Sequence, residues 1–212
     1  MAANVDNLTM ADFTAGNPKT GMRQSDIDAF GEGTVRVVTL PKGFKLFKLS
    51  KGEAAAHPTY GVTPWWSPVD PYKEDYEGAF GRYMQAKLNK IDMSSMVRYM
   101  SAVCIDWNSL DNYIEVETTA EISAFWGTFA PQKKWADNRN RNLHKEMSVS
   151  RTAMPSRKMG IKDSVMPEHL GALESWQFYI PKLKDEHIKR NPTISAHDME
   201  ALYLHFSDVL EA

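Results

Sequence analysis

The pattern of apolar and polar positions predicts a chain in which strands outnumber helices. Residues 34–40 are rich in β-branched side chains, and a Pro-Lys-Gly turn signal separates them from a second strand-like segment, residues 44–49. Strand alternation places Phe44, Leu46 and Lys48 on one face of the second segment. Further strands are predicted at residues 103–107, 112–118, 122–129 and 176–181.

Three segments carry helical signals. Asp70 and Pro71 form an N-cap and first-turn pair, which predicts a helix that continues to residue 90. Residues 93–102 have methionines at helical spacing, and Ser195 opens a capping-box pattern before a last apolar stripe. Because these helices do not alternate one for one with the strands, the pattern favours an α+β fold over a doubly wound sheet.

The two ends of the chain differ from its middle. Residues 1–33 are rich in Asn, Asp, Thr, Ser and Gly without a sustained period, which predicts a flexible N-terminal arm. Residues 34–190 form the predicted domain, and residues 191–212 a C-terminal amphipathic helix packed on it. Within the domain, residues 133–162 hold nine Lys or Arg against two acids, which predicts a long exposed basic excursion.

Composition excludes several classes of protein. The 212 residues, 42% of them apolar, suffice for one domain with a sizeable core, and a net charge of −2 gives no overall attraction to nucleic acid or to anionic membranes. No apolar stretch is long enough to span a membrane, and the first residues lack the features of a secretory signal. We therefore expect a protein that is cytoplasmic or delivered into a target-cell cytoplasm without a classical signal peptide. The single cysteine, Cys104, excludes an intramolecular disulfide framework.

Common catalytic motifs are absent from the sequence. It contains neither the glycine-rich dinucleotide fingerprint nor a phosphate-binding P-loop, and neither a nucleophile elbow nor the paired histidines of a zinc protease. The six histidines are scattered; the nearest two, His197 and His205, lie two helical turns apart. We therefore expect no metal site.

Four short segments resemble one group of proteins. They are LPKGFKLFKL at residues 40–49, YGVTPWWSP at 60–68, AFWGTFAPQ at 124–132 and GALESWQFYIP at 171–181. In order and character they are similar to the ADP-ribosyltransferase-like fold, and within it to the bacterial NAD-glycohydrolase toxins of the tuberculosis-necrotizing-toxin type. The resemblance covers residues 34–181 and implies a compact, split, twisted β-sheet core with peripheral helices. It also implies a toxin or effector that cleaves the nicotinamide–ribose bond of NAD, by hydrolysis or by transfer, after export by a specialised system.

The resemblance implies binding residues for NAD, its expected substrate. Lys48 falls where the family has an arginine that holds the diphosphate, and this exchange loses the bidentate guanidinium. Ser67 falls on the family's Ser-Pro step, although the arginine expected before that step is missing, so Arg36 or Arg82 would have to supply the charge from elsewhere. The tryptophans that could clamp nicotinamide are Trp65, Trp66 and Trp126.

The expected catalytic residues lie late in the chain. Gln177 falls on the family's late-strand glutamine, and Glu174 lies three residues before it; either could stabilise the positive charge that develops on the ribose. Strand alternation puts Gln177 on the face opposite Trp176 and Phe178. Every candidate also has an ordinary structural interpretation, such as a solvated strand lysine, a packed tryptophan or a turn-forming serine.

Two other classes of function stay open at this stage. The chain could be a non-catalytic interaction or structural protein on an α+β scaffold, and the lysine at position 48 favours that hypothesis. It could also bind nucleic acid through the basic segment from Lys133 to Lys162, although Trp135 is the only aromatic residue there. For an NAD-consuming toxin the expected partners are a macromolecular acceptor and an immunity or delivery protein, and no membrane.

Overall fold

The strands of this protein are short, and most of them join one sheet. The structure is a computed structural model that describes residues 4–52, 56–57, 61–104, 107–133, 169–171 and 175–210. The strands are β1 Arg36–Leu40, β2 Lys45–Ser50, β3 Ala56–His57, β4 Gly61–Val62, β5 Trp65–Pro68, β6 Asn112–Thr118, β7 Ile122–Thr128, β8 Gln132–Lys133, β9 His169–Leu170, β10 Trp176–Tyr179, β11 Ile188–Arg190 and β12 Ile194–Ser195. The helices are α1 Gln24–Ile27, α2 Gly78–Leu88, α3 Met93–Met100 and α4 Met199–Leu210, with 3-10 turns at Met10–Asp12 and Asp185–His187.

The main sheet has eight strands and confirms an α+β fold. Its order is β1-β7-β10-β5-β2-β6-β11, with β12 also paired to β6, and each pairing is antiparallel. Strand β5 changes partner along its length: Trp65 and Trp66 pair with β10, whereas Ser67 and Pro68 pair with β2. The sheet therefore has two halves that a single four-residue strand joins.

The two faces of the sheet are covered differently. One face carries a closed apolar cluster that includes Leu46, Trp66, Trp126 and Phe178; we call it the aromatic face. On the other face, helices α2, α3 and α4 cover β2 and β6, whereas residues of the N-terminal segment cover β7 and β10. We call this second face the cleft face, because its two covers leave a gap between them.

The N-terminal segment is packed, so the prediction of a flexible arm was wrong for residues 4–33. Val5, Leu8 and Met22 are buried against the sheet. The side-chain amide of Asn4 donates to the carbonyls of Ser123 and Pro181 at 2.9 and 2.8 Å. A few well-placed apolar residues thus fix a segment whose average composition is polar, because burial of those residues offsets the entropy of ordering the chain.

Three predicted elements also differ from the structure. Helix α2 begins at Gly78, not at residue 71, because Gly78 has a φ of +57° and its N–H donates to the Asp75 carboxylate in a turn. Residues 103, 104 and 107 are not in a strand. At the C-terminus Ser195 lies in β12, and the carboxylate of Asp198 caps α4 by accepting from the N–H of Ala201 at 2.9 Å.

Helix α4 packs through Leu202 and Phe206, which are buried with Phe47 and Tyr113. Among the residues that the structure describes, no helix is long and apolar enough to cross a membrane. The basic segment predicted at residues 133–162 lies outside the described residues, apart from Lys133.

Candidate functional site

A cleft of two lobes opens on the cleft face. Both lobes are lined by Trp65, Ser101, Val103, Phe129 and Gln177. The inner lobe, about 270 Å³, is further lined by Phe47 and Leu49 of β2, by Ser67 of β5 and by Thr63, which lies between β4 and β5. The rim lobe, about 380 Å³, is further lined by Arg23, Asp26, Ala29, Trp107 and Gln132. Together the lobes have the dimensions of a small-molecule site.

All four segments that carry the family resemblance contribute to the inner lobe. The first contributes Phe47 and Leu49, the second Trp65 and Ser67, and the fourth Gln177. The third contributes Phe129, which follows strand β7. Segments that are up to 130 residues apart in the chain thus converge on one cleft because the split sheet brings their strands side by side.

Gln177 lies at the junction of the two lobes. It pairs across the sheet with Gly127, and its own side chain is only 2% exposed. The side-chain Nε2 donates to the carbonyl of Ala29 at 3.0 Å, which fixes the amide against the N-terminal segment. With its N–H side engaged, the amide presents its carbonyl oxygen as an acceptor. The neighbouring Trp176 and Phe178 point to the aromatic face, as alternation predicts.

Trp65 and Ser67 form the wall of the cleft along β5. The indole of Trp65 is half-buried and packs edge-on against Tyr179, with ring centroids 4.9 Å apart, and against Phe30 at 5.4 Å. Ser67 is 8% exposed and sits where β5 leaves β10 to pair with Phe47 of β2. Both side chains are therefore held by the same change of partner that splits the sheet.

Lys48 borders the inner lobe, but its ammonium lies on the aromatic face. The Nζ atom sits 5.1 Å from the centre of the Trp66 ring, which is buried with Leu46 and Phe178. The adjacent Phe47 and Leu49 instead pack under the helices. Burial, together with the nearby charge of Arg190, lowers the pKa of Lys48 to about 8. The structure thus does not bring the charge of Lys48 to Gln177, because alternation along β2 turns it away.

Two other predicted binding residues do not line the cleft. Trp126 is fully buried on the aromatic face, stacked on Trp176, and its Nε1 donates to Glu74 at 3.3 Å. Arg82 is also fully buried. Its Nη2 atom donates to Asp75 and to Ser175, at 2.6 Å each.

Arg82 joins the two halves of the sheet. Its guanidinium lies over the ring of Phe47 in β2, at 5.8 Å, while it bonds Ser175 just before β10. It therefore holds the walls of the cleft without entering it. Arg36, the other arginine considered for the phosphate, forms an ion pair with Glu74 on the aromatic face. Glu174 lies outside the described residues.

Sequence reasoning missed two residues that line the cleft and one, Arg98, that lies behind it. Arg23 and Trp107 line the rim lobe, and Trp107 is 56% exposed. Arg98 of α3 is buried and donates to the carbonyls of Val103, Cys104 and Asn108, at 3.0, 2.8 and 2.5 Å. These three bonds hold the described backbone on either side of Trp107. No local motif marks such residues, since each owes its position to contacts between distant segments.

The described residues contain no group of three or more His, Cys, Asp or Glu side chains placed to hold a metal ion. Two of the clusters of ionisable side chains that they do contain lie at helix α4 and the residues just before it. His197 contacts Asp92 and Asp111 at 2.7 and 3.2 Å, and His205 contacts the buried Glu115 at 2.9 Å. The contact with Asp92 raises the pKa of His197.

Comparison with known proteins gives one structural similarity. No protein-family model and no curated protein matches the chain. Among solved structures, that of Tne2 in complex with Tni2 is similar at a TM-score of 0.40 and 15% identity, over 79% of this chain and 97% of that one.

Proposed function

We propose that this protein is an NAD-consuming enzyme, of toxin or effector type, that cleaves the nicotinamide–ribose bond in the cleft. The observation that carries the proposal is the convergence of the four resembling segments on the inner lobe, where Trp65, Ser67 and Gln177 lie together. These are three of the residues that the resemblance assigns to NAD. The acceptor of the ADP-ribose is either water or a macromolecule.

The chemistry suits a cleft with few charges. Nicotinamide is cationic in NAD, so when the bond between its ring nitrogen and ribose C1′ breaks, the electron pair leaves with a neutral ring. No general acid is needed for that departure. Water then attacks C1′ and releases a proton to the solvent, which gives ADP-ribose and nicotinamide. What the protein must supply is orientation of the ribose and stabilisation of positive charge at C1′.

The three residues have separate roles in this proposal. The Trp65 ring offers a flat surface for the nicotinamide. The carbonyl dipole of the Gln177 side chain, held by the bond to Ala29, faces the ribose and stabilises its positive charge. The Ser67 hydroxyl donates to a ribose or phosphate oxygen. Because a side-chain amide is neither protonated nor deprotonated to a useful extent near neutral pH, Gln177 acts through its dipole and position, not as a base.

The decisive experiment measures NAD loss and nicotinamide release by the purified full chain. We expect Gln177→Ala to lower kcat by about 100-fold, the scale seen when one group that stabilises the transition state is removed. The matched control is Gln85→Ala, which removes the same side chain from an exposed position of α2. Equal thermal unfolding midpoints show that the variants are folded. Full activity of Gln177→Ala, or an intact NAD pool with and without cell extract, would overturn the proposal.

One observation favours a second function, that of a non-catalytic binding protein. The ammonium of Lys48 lies on the aromatic face, so the cleft lacks the cation that the resemblance assigns to the diphosphate. A degenerate relative would bind NAD or a fragment of it without breaking the bond. Calorimetric binding of NAD with no release of nicotinamide would support this alternative.

A further inference from the structure

We infer that the rim lobe is a purine-nucleotide subsite, which receives the adenosine monophosphate half of NAD through Trp107 and Arg23. The inference rests on the proposed function and extends it to a part of the cleft that the resembling segments do not explain. The rim lobe shares Trp65 and Gln177 with the inner lobe, so a ligand with two ring-bearing halves can fill both.

Trp107 supplies an exposed aromatic surface at the rim lobe. Its side chain is 56% exposed at the lobe, although tryptophan is among the most buried residue types on average. Hydrogen bonds hold the described backbone on either side of it: Arg98 donates to the carbonyls of Val103, Cys104 and Asn108, and the N–H of Trp107 donates to the carbonyl of Cys104 at 3.1 Å. Because the Trp107 backbone is already bonded, only the side chain remains to be ordered when the indole stacks on a nucleobase, which lowers the entropic cost of binding.

Arg23 supplies an oriented cation at the same lobe. Its Nε and Nη2 atoms donate to the two carboxylate oxygens of Asp26, at 3.2 and 3.1 Å, and Asp26 is itself only 4% exposed. Within the described residues the Nη1 atom makes no hydrogen bond, so this edge of the guanidinium is available to a ligand. An arginine fixed along one edge by a buried carboxylate is suited to bind a phosphate with the other.

The combination defines the ligand class. A flat aromatic ring favours a base, the guanidinium favours a phosphate, and the Gln132 side chain adds an amide that can donate to and accept from base edges. Asp26 is already engaged by Arg23, so its carboxylate oxygens are occupied and the opposite edge of the guanidinium remains as the hydrogen-bond donor toward a ligand. Inorganic phosphate alone would not use Trp107, and a free base would not use Arg23; a nucleoside monophosphate uses both.

The test is calorimetric titration of the full chain with AMP, adenosine, nicotinamide mononucleotide and inorganic phosphate. We expect AMP to bind and Trp107→Ala to weaken it by about 10-fold, in keeping with the stacking of one base. Arg23→Gln should weaken AMP but not adenosine, and Arg23→Lys should restore only part of the affinity. Nicotinamide mononucleotide should bind equally to wild type and Trp107→Ala.

Matched controls exist for both variants. Tyr203→Ala removes an exposed ring from α4, and Lys19→Gln removes a charge from the same N-terminal segment outside the lobe. If NAD is cleaved but AMP does not bind, or binds Trp107→Ala and Arg23→Gln as tightly as wild type, the subsite is wrong while the proposed function stands. If AMP binds in the expected Trp107-dependent way but NAD is not cleaved, the subsite stands and the enzyme proposal fails.

Discussion

Both faces of the sheet are rich in aromatic residues, but the cleft formed by the described residues lies on one of them. On the aromatic face, Trp126 stacks on Trp176 and packs against Phe178, with ring centroids 5.3 and 4.2 Å apart, and nothing as large as a ligand fits between them. On the cleft face, Trp65 and Trp107 border open volume. The number of aromatic rings is thus not what makes a site.

The difference arises from how each face is covered. Side chains of the sheet and of the loop around Tyr72 close the aromatic face as a single cluster. The cleft face is covered by two separate layers, the helices and the N-terminal segment, which meet the two halves of the split sheet. A cavity remains where neither layer reaches. The candidate site therefore lies between the helices and the N-terminal segment. Substitutions on the aromatic face should lower stability, whereas substitutions of exposed residues at the cleft should change ligand binding or activity with little loss of stability.

The largest expected effect is on the closed face. Trp126→Ala should lower the free energy of unfolding by about 3–5 kcal/mol, because it removes a fully buried indole and leaves a cavity. The same substitution at the exposed Trp107 should stay within about 0.5 kcal/mol. Urea unfolding of both variants makes the comparison. Equal losses of stability would show that the two faces are not distinct in the way described.

A second prediction concerns the residue that joins the two halves of the sheet. Arg82→Met should cost about 3 kcal/mol, because it leaves the buried carboxylate of Asp75 without its partner. Arg82→Met combined with Asp75→Asn should recover part of the lost stability, since the buried, unpaired carboxylate of Asp75 is then absent. The control is Arg36→Met, whose pair with Glu74 is half-exposed and should contribute at most about 1 kcal/mol. If Arg82→Met lowers the free energy of unfolding no more than Arg36→Met does, Arg82 does not join the two halves of the sheet as described.

The sequence predicts the sheet better than the site. Strands β1, β2, β6, β7 and β10 lie where apolar alternation indicates, because that pattern records which face of a strand is buried. The burial of the N-terminal segment could not be predicted, since it depends on a few apolar residues in a polar stretch and on the distant partners of Asn4. The face occupied by Lys48 was predictable from alternation: Phe44, Leu46 and Lys48 share a side, and the structure puts that side away from Gln177. The covering of each face was not predictable, because it depends on tertiary packing.

The stability of the helical layer on the cleft face should depend on pH through His197. This residue joins the start of α4 to the N-cap of α3 through Asp92, and the contact raises its pKa above the ordinary value of about 6.5. The stabilisation is complete below that ordinary value and is lost as pH rises through the raised pKa. We expect the free energy of unfolding to fall by about 1 kcal/mol over that window. His197→Gln should remove this pH dependence of the free energy of unfolding, measured by urea unfolding at several pH values. If the variant keeps the pH dependence, other groups are responsible for it.

The smallest expected effect on activity is that of Lys48, and it tests the two faces most directly. Because the pKa of Lys48 is about 8 in the folded chain and about 10.4 when unfolded, the unfolded state binds more protons between these values. Wild type should therefore gain stability as pH rises from 8 to 10, and Lys48→Met should lack this gain, whereas Lys45→Met, in the same strand, should keep it. In the NAD assay, Lys48→Met should change kcat and KM by less than about 3-fold, because its ammonium lies on the aromatic face. A large rise in KM with unchanged stability would instead place the Lys48 charge at the diphosphate. The distinction between the two faces would then fail at β2, whose side chains alternate between them.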